Sequence, residues 1–287
     1  MRGGQWQALY LLRALTSGGH RAMLVAPPHS PLLERARTEG IEAREMRLHE
    51  LPAFARRFDL VHAHDARAHT IGAVLGRPLI VSRRVAFPVR SSAVSRWKYR
   101  RAMRYIAVSN FVKGLLMDAG IADSKIEVVY DGVPLGPEPD FEHREGVVAL
   151  DSDDPGKGKQ LIREAADRAG ISVRFSKNLA EDLAAAALFV YITESEGLGS
   201  AALMAMAAGV PVLASNAGGL PEIVREGETG MLTPNTPEQI AHNMFRLLDD
   251  PALLARMGRT ARASVEQHFT TAHMAANTMR VYEKALA

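Results

Sequence analysis

Short apolar runs alternate with helix-length segments along this whole chain, and the alternation comes in two series. A run of that kind, bounded by Gly, Pro or polar residues, reads as a buried strand. Strands separated by helices pair in parallel, because the helix returns the chain to the edge it left. In the first series strands are expected at Ala22–Ala26, Ile41–Met46, Leu60–His64, Leu79–Ser82, Tyr105–Val108 and Ile126–Tyr130. Helices are expected at Trp6–Ser17, closed by Gly18-Gly19, at Pro31–Glu39, closed by Gly40, at Pro52–Arg57, and at Phe111–Ala119, capped by Ser109-Asn110. A Pro- and Gly-rich stretch, Asp131–Pro139, then interrupts the pattern as an interdomain linker. The second series has strands at Val147–Leu150, Ser172–Phe175, Leu188–Ile192 and Val210–Ala214, with helices at Lys159–Ala169, Leu179–Ala187, Gly199–Ala208 and Leu220–Arg225. Three helical segments, broken at Pro251 and Thr270, end the chain. The expected fold class is α/β, in two doubly wound domains.

Composition narrows the setting. At 287 residues and 47% hydrophobic content the chain can fill two cores. It has no cysteine, so disulfides and thiolate metal sites are excluded. No apolar run approaches the roughly 20 residues that span a bilayer, and Met1–Trp6 lacks the apolar core of a signal peptide. A cytoplasmic protein is expected. The net charge of +3 is uneven, with no acid between Asp65 and Asp118 and a cluster of Arg83, Arg84, Arg90, Arg96, Lys98, Arg100, Arg101 and Arg104 between them. Such a face suits an anionic membrane surface or a phosphorylated acceptor, with a plain solvated surface as the alternative. Stacking aromatics are few there and no recognised motif accompanies them, so nucleic acid is not expected as a partner.

The most specific segment is Glu194-Ser195-Glu196-Gly197-Leu198-Gly199-Ser200, which opens into a small-residue helix through Met204 to Gly209. A Gly-punctuated turn from strand to helix presents backbone N–H groups and the positive helix end to an anion. Asn216-Ala217-Gly218-Gly219-Leu220-Pro221-Glu222 and Gly227-Glu228-Thr229-Gly230 follow, and a Lys157-Gly158 turn precedes. Asp151-Ser152-Asp153 has the spacing of a metal-binding carboxylate pair but lies in a polar loop, and is read as a solvated turn. His62 and His64 are read as pointing to opposite sides of their strand and hence as a poor metal pair. No metal site is assigned.

In this order the segments closely resemble glycosyltransferase family 4. The resemblance reaches Val61-His62-Ala63-His64-Asp65, Ala107-Val108-Ser109-Asn110-Phe111-Val112 and Tyr130-Asp131-Gly132-Val133. It implies a GT-B fold: two facing Rossmann-like domains with the donor held in the cleft between them, and a C-terminal helix crossing back to the first. The domains are expected at residues 1–135 and 136–269, with the crossing helix at 270–287. The resemblance also implies a retaining hexosyl transfer from a nucleotide-diphosphate-sugar to an envelope glycan or lipid-linked acceptor, with no cofactor beyond that donor. Lys157 matches the family's diphosphate lysine, Glu196 a glutamate that contacts the transferred sugar, and His64 a histidine reaching toward it. These three are the catalytic candidates. Gly3 and Gly4 look like the glycine-rich loop over the donor phosphates. Gly197, Leu198, Gly199 and Ser200 form the donor-binding turn, and Ser109 caps a helix first and serves a ligand second.

The chain departs from the family in four ways. Met204 stands eight positions after Glu196, where a second glutamate would grip the ribose, and a thioether is a weak acceptor. Acidic residues Asp151, Asp153 and Asp154 occupy the stretch where an arginine is usual. The interval from Lys157 to Glu196 is short. No apolar strand stands before Gly3, so a strand ordinarily central in the sheet is expected to be missing, and Met1 is read as an internal start. A non-catalytic descendant that binds a sugar nucleotide or a partner is the competing reading. A sugar-nucleotide epimerase on the same fold is a third.

Overall fold

The computed structural model describes residues 1, 3–89 and 92–287, so Arg90 of the basic cluster lies outside the described residues. The chain divides into two compact units, residues 1–132 with 271–287, and residues 133–270.

The first unit begins with α1 (Gly3–Ser17) and continues through β1 (Leu24–Ala26), α2 (Pro31–Thr38), β2 (Ala43–Glu45), α3 (Leu51–Ala55) and β3 (Val61–Ala63). Next come α4 (Ala66–Gly72), β4 (Leu79–Arg83), α5 (Ala93–Arg101), β5 (Arg104–Ala107), α6 (Asn110–Asp118) and β6 (Ile126–Val128). Side-chain oxygens fix several helix starts: Ser30, Asp65, Ser92 and Ser109 accept first-turn N–H groups of α2, α4, α5 and α6. All pairings are parallel, but the strands form two sheets: β1-β2 on one side and β3-β4-β5-β6 on the other.

The second unit holds β7 (Val147–Leu150), α7 (Lys159–Ala169), β8 (Val173–Ser176), α8 (Leu179–Asp182), β9 (Leu188–Tyr191), α9 (Ser200–Ala207), β10 (Val212–Ser215), β11 (Gly230–Thr233), α10 (Pro237–Leu248) and α11 (Pro251–His268). Its five strands make one parallel sheet in the order β11-β10-β9-β7-β8. Leu188, Val190, Ile192, Ile162, Met244 and Met257 pack in one buried core of that sheet and its helices. Fully buried strands explain why β9 reads as an unbroken apolar run. The chain then returns to the first unit as α12 (Thr271–Leu286), which packs on α1 and places Met274 and Val281 with Leu11, Ile80 and Ile106 in one core.

Two local expectations are corrected. Gly3 and Gly4 form no loop: they are the first residues of α1, in right-handed backbone like the helix they open. The Leu179–Ala187 helix is a single turn, α8. The basic cluster holds a helix, α5, that the sequence pattern did not reveal, because none of its residues is buried and so no apolar period marks it.

Candidate functional site

In the second unit, the turns after β7 and β9 are fastened together. Asp154 caps a short 3₁₀ turn, Pro155–Lys157, by accepting the Gly156 N–H at 3.0 Å. The Gly156 carbonyl accepts from the Glu194 N–H at 2.9 Å and the Thr193 hydroxyl at 3.1 Å. Gly158 has φ +62°, and a Cβ there would lie 2.6 Å from Ile192, so the two turns meet only because this position is glycine. Lys157 and Glu196 are thereby brought together, with Lys157 Nζ 2.7 Å from Glu196 Oε2. The same oxygen accepts the Tyr191 hydroxyl, and Glu196 Oε1 accepts its neighbour's N–H, that of Gly197, at 3.1 Å.

Tyr191 was not foreseen as a site residue. It is buried at the end of β9, and burial first, then the Glu196 charge, holds its phenol protonated far above the ordinary range. It is therefore a fixed hydrogen-bond donor to Glu196. A tyrosine ending a buried strand immediately before Glu194-Ser195-Glu196 is the signal that marks it.

Behind the carboxylate, the Gly218 position lies against the Glu196 backbone: a Cβ there would sit 1.9 Å from the Glu196 oxygen, which accepts the Gly219 N–H at 3.0 Å. The Gly218-Gly219 pair is the close approach that sets the Glu196 loop. Thr193, Ser215 and Asn235 join the carboxyl ends of β9, β10 and β11: Ser215 accepts the Thr193 N–H at 2.8 Å and bonds Asn235 at 2.6 Å, and Asn235 donates to the Thr193 oxygen at 3.0 Å.

Gly197, Leu198 and Gly199 are buried, and Leu198 turns its side chain into the core, so these residues offer backbone. Gly199, at φ +111°, precedes α9, whose start has no side-chain cap. Its first-turn N–H groups are a suitable anion partner. Ser200 and Met204 are half-buried on one side of α9, a turn apart, while Ala202, Leu203, Ala205 and Met206 are buried. Met204 is thus not part of the core. Asp151 is neutralised by Lys159, with Lys177 at 3.7 Å, and the Lys159 hydrogen bond holds its carboxyl below the usual range.

In the first unit, His64 follows β3. Arg84 donates to its Nδ1 at 3.0 Å and bonds Asp131 at 2.9 Å through Nε. Arginine only donates, so Nδ1 accepts and the imidazole proton sits on Nε2. Burial, then the charges of His62 and Arg84, drives the His64 pKa well below its ordinary value. The ring is neutral, with an Nε2–H to donate. The expectation that His62 and His64 face opposite ways is wrong: their ring centroids are 4.0 Å apart. Strand side chains alternate with period two, so residues i and i+2 share a face. His62 is held by the Tyr282 hydroxyl at 2.7 Å and by Ser82 at 2.8 Å, and burial lowers its pKa to about 3. Arg84 and Asp131 were missed as site residues because one was read within the basic cluster and the other within the linker. Ser109 accepts the Val112 N–H at 3.1 Å and is fully buried, so its visible role is the cap of α6. Gly4 lies beside Arg84, its Cβ position 3.9 Å from Arg84 Cδ.

Comparison with known proteins follows the same two units. The model for "Glycosyltransferase Family 4" matches residues 1–136, and that for "Glycosyl transferases group 1" matches residues 156–264. A D-inositol 3-phosphate glycosyltransferase of Streptomyces bingchenggensis is 37% identical over 135 residues, covering 44% of this chain and 30% of that protein. An MMP alpha-(1->4)-mannosyltransferase of Mycolicibacterium hassiacum is 40% identical over 113 residues, covering 39% of this chain and 28% of that one. The chain thus aligns with less than a third of the length of either relative. Anabaena HepE, solved in complex with UDP and glucose, superposes with a TM-score of 0.85 at 18% identity, covering 99% of this chain and 96% of that one. The fold is GT-B. Matched over its first unit by one model and over most of its second by the other, the chain belongs to glycosyltransferase family 4.

Proposed function

We propose that the chain is a retaining glycosyltransferase that moves a hexosyl group from a nucleotide-diphosphate-sugar to an envelope glycan or lipid-linked acceptor at the cytoplasmic face of a membrane. The observation that carries this reading is the convergence of Lys157, Glu196 and Tyr191 in the unit that also holds the uncapped start of α9. A leaving diphosphate needs fixed positive charge and oriented N–H groups. Lys157 supplies the charge and α9 the N–H groups. Glu196, steadied by Tyr191 and Gly197, then accepts hydroxyls of the sugar. His64 donates its Nε2–H to a hydroxyl of a bound sugar. The donor class is supported by HepE, whose structure contains UDP and glucose, and no divalent metal or other cofactor is invoked.

The acceptor side rests on α5. No helix of the described residues is long and apolar enough to cross a membrane. Yet α5 carries Arg96, Lys98, Arg100 and Arg101, buries no residue, and exposes Val94 and Trp97, with Phe87 exposed before it. Cations beside exposed apolar side chains suit the surface of an anionic bilayer.

The second reading, a non-catalytic binder, is favoured by Met204 at a half-open position where a carboxylate would serve the ribose. Donor turnover against UDP-, GDP- and ADP-sugars separates the two. Release of sugar or nucleotide that is lost in Glu196→Gln supports the enzyme. Tight nucleotide binding with no turnover on any donor overturns it in favour of the binder.

A further inference from the structure

The carboxyl ends of β7 and β9 are where the second sheet changes direction. From β7 the chain runs through α7 to β8 on one side, and from β9 it runs through α9 to β10 on the other. Crossovers in parallel sheets are right-handed, so α7 and α9 fall on opposite faces and the two turns part to leave a crevice. Lys157 stands in one turn and Glu196 in the other. Pairing of the two strands does not by itself fix how the turns beyond them are set.

One buried side chain reaches both turns. Thr193, 1% exposed, lies just past β9. Its hydroxyl is 3.1 Å from the Gly156 oxygen and 3.0 Å from the Ser195 oxygen. Gly156 immediately precedes Lys157, and Ser195 immediately precedes Glu196. A carbonyl is coplanar with the N–H and Cα of the residue that follows it. The two oxygens therefore belong to the peptide planes from which Lys157 and Glu196 spring, and a single hydroxyl aligns both. The Gly156 oxygen already accepts the Glu194 N–H at 2.9 Å. Its bond from Thr193 thus adds direction instead of satisfying an orphaned acceptor.

Thr193 is itself held at its other polar atoms. Its N–H donates to Ser215 Oγ at 2.8 Å, and its oxygen accepts from Asn235 Nδ2 at 3.0 Å. The Ser215 hydroxyl donates to Asn235 Oδ1 at 2.6 Å, which closes a ring of three residues from the ends of β9, β10 and β11. Ser215 is fully buried. A β-branched side chain has few χ1 choices, so a backbone pinned on both sides leaves the hydroxyl one place to be.

We propose that Thr193 is a positioning residue: its hydroxyl, seated by Ser215 and Asn235, sets the Lys157 turn against the Glu196 loop and holds the lysine where a diphosphate meets it. This role rests on the donor reading given above, through Lys157.

Calorimetry with UDP on the full chain tests it. Thr193→Val keeps the shape and removes the hydroxyl, whereas Thr193→Ser keeps the hydroxyl and removes a buried methyl. Each should lower the melting temperature by a similar amount, about 3 °C, so stability does not separate them. Affinity does: Thr193→Val should weaken UDP about fivefold or more, and Thr193→Ser should stay within about twofold. In a Lys157→Ala background Thr193→Val should add less than about twofold, because residues that act as one unit are not additive. Should Thr193→Val fail to fold, Asn235→Ala, at an exposed position, should weaken UDP about threefold. Unchanged UDP affinity in the variant that folds overturns the proposal. So does an equal loss in Thr193→Val and Thr193→Ser, which would make packing the cause, and so does an undiminished loss in the Lys157→Ala background. If Lys157→Ala itself leaves UDP affinity unchanged, the diphosphate placement falls and this proposal with it. If Lys157→Ala weakens UDP while Thr193→Val does not, the placement stands and Thr193 alone is struck.

Discussion

Lys157 and Glu196, 39 residues apart in sequence, meet at 2.7 Å while a buried tyrosine hydroxyl holds the same carboxylate oxygen. Side-chain exposures of 25% and 18% leave both ends of this ion pair open to a ligand. A ligand that brings its own anion competes with Glu196 for the lysine, and one that brings hydroxyls competes with Lys157 for the glutamate. Under the proposed function the pair would couple the charge and the sugar of a donor.

The two residues should separate in binding experiments. Lys157→Ala is expected to weaken UDP or GDP affinity at least tenfold, since a charge-assisted contact contributes roughly 1.5–3 kcal/mol. Glu196→Gln should leave nucleotide affinity within about threefold, a change of less than 1 kcal/mol, while abolishing donor turnover. Calorimetry with UDP and GDP reads both. Unchanged affinity in Lys157→Ala would remove the diphosphate from this lysine.

Gly218→Ala is expected to disable the site. Its Cβ would fall 1.9 Å from the Glu196 oxygen, at φ +57°, so the Glu196 loop must move. A strained backbone position costs on the order of 1–3 kcal/mol. Turnover should be lost with the fold retained, as judged by circular dichroism and melting. Full activity in this variant would show that the loop is not held as described.

Met204→Glu should tighten nucleotide binding. The position is half-buried on the same side of α9 as Ser200, so a carboxylate there remains solvated. The change in stability should stay within about 0.5 kcal/mol. A loss of stability without any gain in affinity would place the ribose elsewhere.

Turnover should survive EDTA. Asp151, the first acid of the Asp-Ser-Asp run, is engaged by Lys159 and Lys177 and is not a ready metal ligand. Activity abolished by EDTA and restored by Mn²⁺ would redirect attention to Asp151, Asp153 and Asp154.

Acid should destabilise the first unit. Burial lowers the pKa of His62 to about 3 and of His69 to about 4, and depresses His64 in the same direction. The unfolded imidazoles titrate near 6.5, so below that pH the unfolded chain binds more protons than the folded one. Stability contributed by these neutral rings is complete above about pH 6.5 and is lost as pH falls toward the folded values, by up to about 1.4 kcal/mol per pH unit for each ring. Melting curves between pH 7 and 4.5 should show the loss, and His62→Gln or His69→Gln should flatten it. Identical pH profiles in the variants would assign the acid sensitivity to other groups.

By itself the sequence determined what local rules govern. Apolar run length and helical period gave the alternating elements, and Ser109 announced the start of α6 because a side-chain cap acts within three residues. The Gly-flanked turns likewise marked Lys157 and Glu196, since positive φ is written locally. Strand order and burial decided the rest. Tyr191 became a partner of Glu196, Arg84 bonded His64, 20 residues before it, and Asp131, 47 residues after it, and Tyr282 reached His62 across 220. Such contacts are set by which strands lie side by side, and no periodicity encodes them.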